Sequence, residues 1–222
     1  MVFSCWSAKG GSGTTVVAVA LAVLLGRDSD FGSVLVDLDG DGPTVLGVPE
    51  PSGPGLSDWL AASPSVGAAA IERLEHSVAS GVRLIPRGRR LLASEDRAAM
   101  CLEKLVDDER PIVVDVGRVS NADDVEDRVR RQFVEAATTS LLVTRPCFIS
   151  LRRASAIPFR PTGVVLVEEG GRALSRSDVE DVLGVPVVAA VAVEPAVARC
   201  VDSGLLAARL PAPLGKALRD VA

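Results

Sequence analysis

A nine-residue segment rich in glycine carries the clearest chemistry in this chain, and it reads Ser7-Ala8-Lys9-Gly10-Gly11-Ser12-Gly13-Thr14-Thr15. Closely spaced glycines let successive backbone N–H groups face one concavity, and the start of a following helix adds partial positive charge. Such a loop can hold a polyphosphate, and the Thr15 hydroxyl is placed to ligate Mg²⁺. The alternative is a tight turn that only lets a strand and a helix pack closely. The segment therefore predicts a site for phosphates and Mg²⁺.

Thr14 stands where the phosphate-loop pattern G-x-x-x-x-G-K-[ST] has its lysine. That lysine normally reaches the β- and γ-phosphates and neutralises charge as the phosphoryl group leaves. Losing one charge-assisted contact costs about 1.5–3 kcal/mol, or roughly 10–150-fold in affinity. The substitution predicts weak nucleotide binding and little hydrolysis.

The stretch from Lys9 to Thr15 resembles the deviant Walker A loop of the ParA/MinD family of P-loop ATPases. In that family the early lysine crosses a dimer interface to the partner's nucleotide. Because a threonine replaces the second lysine of that loop, the stretch is most similar to the TadZ/CpaE branch, which is associated with Flp/Tad pilus assembly and polar localisation. The resemblance implies a homodimer in which Lys9 is catalytic, with ATP and Mg²⁺ as cofactors. It also implies a set of nucleotide-binding residues in the loop: Gly10, Gly11, Ser12, Gly13, Thr14 and Thr15.

Two apolar runs, in Leu35–Asp41 and Ile112–Arg118, lead into aspartates, of which Asp37, Asp39 and Asp115 are candidate site residues. By the same resemblance, Asp37 and Asp115 organise Mg²⁺ together with Thr15, and Asp39 orients the attacking water. Asp37 and Asp39 have an alternative role as loop-capping residues. Asp115 ends a buried run, where a carboxylate needs a partner or solvent, and this favours a role in the site.

The part of the family pattern that recognises the base is altered. Val167 stands where the family usually has an asparagine that reads adenine, and Ala192 replaces a proline that frames the base. Glu194 occupies the acidic position and is expected to bind nucleotide. The resemblance thus implies weakened base recognition, and a degenerate site without nucleotide is an alternative.

The elements that must position these residues are short β-branched runs alternating with helical segments. Runs that are apolar on both faces are typical of parallel strands covered by helices. We predict a doubly wound, mostly parallel α/β sheet of about seven strands with helices on both faces, of the P-loop NTPase type, in a single domain over residues 1–222. The predicted strands are Val2–Ser4, Ser33–Asp37, Val82–Ile85, Pro111–Val116, Thr139–Thr144, Gly163–Val167 and Pro186–Val191. The predicted helices are Val16–Leu25, Val66–Val78, Leu91–Val106, Asp123–Ala136, Ser177–Leu183, Ala196–Leu206 and one within Pro213–Ala222, and Gly40–Gly55 is predicted to be a loop.

Composition excludes several functional classes. A formal net charge of −5 argues against extensive DNA binding, and 3% aromatic residues without tyrosine argue against base stacking. His76 is the only histidine and is expected on a solvent-facing helix, while the four separated cysteines are expected in the core. The arginines at 87, 89, 90, 130 and 131 are expected on solvated faces, with a partner surface as the alternative. The chain starts without a signal-peptide pattern, and its longest apolar run is below the ~20 residues of a membrane span.

These inferences combine into one hypothesis: an ATP-binding, dimerising cytoplasmic switch that positions or assembles a Flp/Tad pilus or secretion apparatus, with weak or absent ATP hydrolysis. Pilus or secretion assembly proteins are candidate partners, through which the protein would be recruited to a pole or the inner membrane surface. One alternative is an active ParA-type ATPase that partitions DNA or protein cargo. The other is a nucleotide-free pseudo-ATPase scaffold.

Overall fold

A computed structural model describes residues 1–78 and 81–222 and contains one eight-stranded sheet. The strands lie in the spatial order 3-4-2-5-1-6-7-8, and every neighbouring pair is parallel except the third with the fourth. In chain order they are β1 (Val2–Ser7), β2 (Ser33–Asp37), β3 (His76–Ser77), β4 (Val82–Ile85), β5 (Ile112–Arg118), β6 (Thr139–Thr144), β7 (Gly163–Glu168) and β8 (Val187–Ala192).

Helices cover both faces of the sheet, because successive strand residues point to opposite sides and both sides are apolar. The helices are α1 (Thr14–Asp28), α2 (Gly42–Leu46), α3 (Leu56–Leu60), α4 (Glu95–Val106), α5 (Val125–Glu135), α6 (Phe148–Ser155), α7 (Arg176–Leu183), α8 (Pro195–Asp202) and α9 (Ala212–Leu218). One hydrophobic core joins the sheet to α1, α2, α8 and α9, and the other joins it to α3–α7. The predicted doubly wound architecture is confirmed, with eight strands instead of about seven.

The helix predicted over Val66–Val78 is wrong. The chain forms a 3₁₀ helix over Ala68–Leu74 and then the short strand β3, which pairs antiparallel with β4. Glu75 separates the two elements, and its carboxylate accepts hydrogen bonds from Arg110 at 2.7 and 2.9 Å and from Arg83 at 3.2 Å. These ion pairs hold residue 75 in an extended conformation, so His76 lies in a strand and not on a helix.

Some local boundaries also differ from the predictions. α4 begins at Glu95, four residues later than predicted, because the Ser94 side chain caps it by accepting from the Arg97 N–H. α2 forms inside the predicted loop, where Pro43 lies in its first turn and Gly47 ends it with a left-handed φ of 75°. α8 ends at Asp202, before the predicted Leu206.

The buried helix predicted over Val16–Leu25 is confirmed as the centre of α1, which packs against β1, β2, β4 and β5. Within residues 1–78 and 81–222, no helix combines the length and the apolar character needed to cross a membrane. Cys5 and Cys101 are core residues as predicted, whereas Cys147 and Cys200 are only partly buried because they flank or lie on surface helices.

Candidate functional site

The glycine loop connects the end of β1 to the start of α1. Gly11 and Gly13 have left-handed φ angles of 76° and 90°, and the Ser12 hydroxyl donates to the Lys9 carbonyl at 2.7 Å. A Cβ built at Gly10, Gly11 or Gly13 would meet nothing within 4 Å, so the loop borders open space. Gly13 caps α1 without a side chain, and no acidic residue lies in the first turn. The N-terminal N–H groups of α1 are therefore presented to an anion.

The end of β2 and the middle of β5 bring two of the predicted carboxylates together. Asp37 and Asp115 are register partners, and Cys5 of β1 lies beside Asp115 on the other side. Their strand neighbours two positions earlier, Leu35 and Val113, belong to the core that contains α1. Because side chains alternate along a strand, both carboxylates face the helix that begins with Thr14 and Thr15.

Asp115 lies in surroundings that disfavour its negative charge. It is fully buried, its Oδ1 accepts from the Gly117 N–H at 3.2 Å, and its Oδ2 has no hydrogen-bond partner in the described part of the chain. Burial first, and then the negative charge of Asp37, raise the pKa of Asp115 from 3.8 to about 8, while the Thr15 hydroxyl lowers it. A buried carboxylate oxygen without a donor is a natural ligand for a cation.

Asp37 is also buried, but its oxygens are already bonded. Oδ1 accepts from the N–H groups of Asp39 at 2.9 Å and Gly40 at 2.7 Å, and Oδ2 accepts from the N–H of Gly42 at 2.9 Å. Burial raises the pKa of Asp37, and these backbone bonds lower it. The loop-capping alternative is thus what the structure shows for Asp37, and the Mg²⁺ role remains a prediction.

Asp39 points to the opposite side of the sheet from α1, toward α5. Its Oδ1 lies 3.5 Å from Nη1 of Arg130, whose side chain is only 12% exposed and also donates to the Val116 carbonyl. Gly117 has a φ of 70°, and a Cβ there would overlap the Asp39 carboxylate. The aspartate predicted to orient water is therefore held by an arginine across the end of β5.

Two of the arginines expected on solvated faces lie instead near Asp39 and are paired with acceptors there. Arg87 donates to the Leu38 carbonyl and pairs with Glu126, and Arg130 lies 4.0 Å from the same glutamate. The prediction of a solvated face is wrong for Arg87 and Arg130, because the turn after β2 and the first half of α5 supply acceptors for them.

A metal held by the protein alone does not fit these residues. The described residues contain no group of three or more His, Cys, Asp and Glu side chains that could hold a metal ion. Mg²⁺ commonly uses one or two carboxylates and takes its other ligands from phosphates and water. The Asp115 Oδ2 without a partner and the nearby Thr15 hydroxyl fit that partial shell, with Asp37 beside them.

An apolar cleft of about 300 Å³ opens beside the glycine loop. Ser12 and Gly13 form one side, and Val167, Ala192 and Glu194 line the rest together with valines of β8 and α8. The three residues assigned to base recognition are therefore brought together next to the loop. The volume is at the lower end of small-ligand pockets.

Arg145, the residue after β6, lines the same cleft and was not predicted as a site residue. The available signal was an arginine directly after an apolar strand, at the sheet edge where doubly wound folds bind ligands. Lys9, by contrast, was predicted from the loop and is partly buried within it.

No protein-family model and no curated protein matches the chain. Solved structures do match: a ParA family ATPase from Chlorobium tepidum TLS is 21% identical with a TM-score of 0.80, covering 99% of this chain and 96% of its own. The septum site-determining protein MinD of Pyrococcus horikoshii OT3, solved with Mg-ADP, is 21% identical with a TM-score of 0.79, covering 99% and 93%.

The fold is that of the ParA and MinD ATPases. It is an α/β fold of the P-loop NTPase type. A third matching structure, a Cyanothece McdA variant in complex with ATP, is 16% identical with a TM-score of 0.71, covering 99% of this chain and 95% of its own. At these identities the similarity establishes the fold alone.

Proposed function

We propose that this chain binds ATP with Mg²⁺ at the glycine loop and acts as a nucleotide-controlled dimerising switch of the ParA/MinD type. The observation that carries the proposal is the buried Asp115 Oδ2, which has no donor among the described residues and lies near Thr15 at the start of α1. A buried carboxylate with one oxygen that makes no hydrogen bond is costly, and a site that binds a cation explains its presence.

In this proposal each predicted site residue has a defined role. The N–H groups from Gly10 to Thr14 bind phosphate oxygens, and Thr15, Asp37 and Asp115 hold Mg²⁺ directly or through water. Mg²⁺, when bound, neutralises phosphate charge. Glu194 borders the cleft for the base, and Lys9 reaches the nucleotide of a second copy. The Mg-ADP and ATP found with MinD and McdA support the choice of ligand.

Hydrolysis is weak or absent in this proposal for two reasons. Thr14 is buried and uncharged where a lysine would neutralise the leaving phosphate. Asp39, the residue assigned to orient water, is paired with Arg130 on the face of the sheet opposite α1. Binding without turnover suits a switch whose state depends on which nucleotide is present.

The biological role we propose is that of a cytoplasmic, TadZ/CpaE-like switch that positions or assembles a Flp/Tad pilus or secretion apparatus. The sequence from Lys9 to Thr15 supports this branch, because it keeps the early lysine and replaces the second one. The formal net charge of −5 argues against the alternative of a DNA-partitioning ATPase. Turnover stimulated by DNA would favour that alternative.

Light scattering after size exclusion tests the switch directly. The mass of the purified protein is measured without ligand, with Mg²⁺ and ADP, and with Mg²⁺ and ATP. The proposal predicts a monomer without ligand and a dimer with ATP. A dimer in all three conditions, with no nucleotide bound, would instead support the pseudo-ATPase scaffold, which the altered residues Thr14, Val167 and Ala192 favour.

A further inference from the structure

Two arginines pair with one carboxylate near the glycine loop, and the charge of Lys9 also acts on that carboxylate. Arg145 donates from Nη1 to Glu169, and Arg172 donates to the other oxygen of Glu169, with its Nε at 2.8 Å. The pKa of Glu169 is lowered chiefly by its hydrogen bond with Arg172, and further by the charges of Arg145 and Lys9. The group Lys9, Arg145, Arg172 and Glu169 therefore carries a positive excess beside a loop shaped for anions.

Arg145 is the member of this group that faces the candidate nucleotide cleft. It lines the cleft with Ser12 and Gly13, whereas Arg172 lines a neighbouring depression together with Glu168 and Glu169. The Arg145 side chain is 31% exposed, and its Nε is buried with no hydrogen-bond partner within the described ranges. A guanidinium has five donors, and the bond to Glu169 occupies only one terminal nitrogen.

We propose that Arg145 is a phosphate-binding residue that supplies the positive charge missing at Thr14, with Glu169 holding it beside the loop. This inference rests on the proposed function, since it assigns a residue to the same nucleotide site. A planar guanidinium binds phosphate oxygens with two parallel bonds, so an arginine on a neighbouring strand end can serve where the loop itself has no lysine.

Isothermal titration calorimetry at constant ionic strength tests this role with two probes, Mg²⁺·ATP and Mg²⁺·triphosphate without a nucleoside. Arg145→Gln is expected to lower the affinity for both probes by the same factor, about 10- to 100-fold, because the lost contact is charge-assisted and made to phosphate. Arg145→Lys is expected to recover part of the loss, since a lysine restores the charge but not the paired geometry. Melting temperatures without ligand show whether each variant is folded.

Arg172→Gln is the matched control, because it removes the other arginine on Glu169 and changes the net charge equally. Its affinity for both probes is expected to stay within about threefold of wild type. Equal losses in the two arginine variants would indicate only general attraction and overturn the inference. A loss confined to ATP would place Arg145 at the nucleoside and also overturn it. If the wild type binds neither probe, the proposed function fails; if it binds both and Arg145→Gln binds equally well, this inference alone fails.

Discussion

Replacing Asp115 by asparagine is expected to stabilise the metal-free protein while removing its Mg²⁺-dependent nucleotide binding. The carboxyl is fully buried beside Asp37, and these surroundings raise its pKa to about 8. An asparagine keeps an oxygen for the Gly117 N–H and removes the charge that the folded protein accommodates poorly. A site residue that costs stability is characteristic of ligand-binding positions.

The magnitude follows from proton linkage. Below pH 4 the carboxyl is protonated in both folded and unfolded chains, so the substitution has no effect of this kind. Between the unfolded value of 3.8 and the folded value of about 8, Asp115 binds fewer protons in the unfolded chain, and its contribution to wild-type stability falls by about 1.36 kcal/mol per pH unit. At pH 7 the asparagine variant should gain up to about 4 kcal/mol. For a domain of this size that is about 10 °C in melting temperature.

Thermal unfolding followed by circular dichroism in EDTA, from pH 4.5 to 9, measures this difference. The stability gap between Asp115→Asn and wild type should widen with pH and level off above pH 8. Asp181→Asn, which removes an exposed carboxylate on α7, serves as the control and should show no widening gap. A variant less stable than wild type at pH 7, or a gap that is constant across the range, would refute the reasoning.

Three further substitutions test other parts of the account. Lys9→Ala should abolish ATP-dependent dimerisation in light scattering and leave the monomer folded; unchanged dimerisation would exclude a role across the interface. Arg97→Ala should lower the free energy of unfolding, measured in urea, by about 3 kcal/mol. The buried guanidinium donates to the Trp59 carbonyl and lies 3.9 Å from the Trp59 ring centroid, and both contacts would be lost. A loss below about 1 kcal/mol would contradict this. Gly117→Ala should cost about 1–3 kcal/mol in the same assay, since its φ is 70° and a Cβ would overlap the Asp39 carboxylate; full stability would show that Asp39 moves freely.

The architecture, the shape of the glycine loop and the pairing of Asp37 with Asp115 were predictable because they depend on local patterns. A strand buried on both faces is a continuous apolar run, which makes Ile112–Val114 recognisable without its neighbours. Glycines with left-handed φ angles are nearly obligatory in the loop before α1, so their spacing is visible in the sequence. Asp37 and Asp115 each follow an apolar run of a parallel strand, and the pairing of β2 with β5 places them side by side.

The features that escaped prediction depend on contacts between distant residues. Glu75 ends the 3₁₀ helix through a pair with Arg110, 35 residues away, and no local pattern shows it. Arg130 and Asp39 are 91 residues apart, so a basic pair on a helix could only be interpreted as a solvated face. The place of Arg145 beside the glycine loop could be recognised only from the position of the cleft, which depends on the folded structure.

The central claim, that Mg²⁺ and ATP bind at the glycine loop, is tested most directly by the melting temperature with and without ligand. Ligand at about 100 times its Kd should stabilise the fold by about 2.7 kcal/mol, or roughly 5–10 °C for this domain. The account predicts such a shift for the wild type with Mg²⁺ and ATP, and none for Asp115→Asn. No shift for the wild type at millimolar ATP would contradict it.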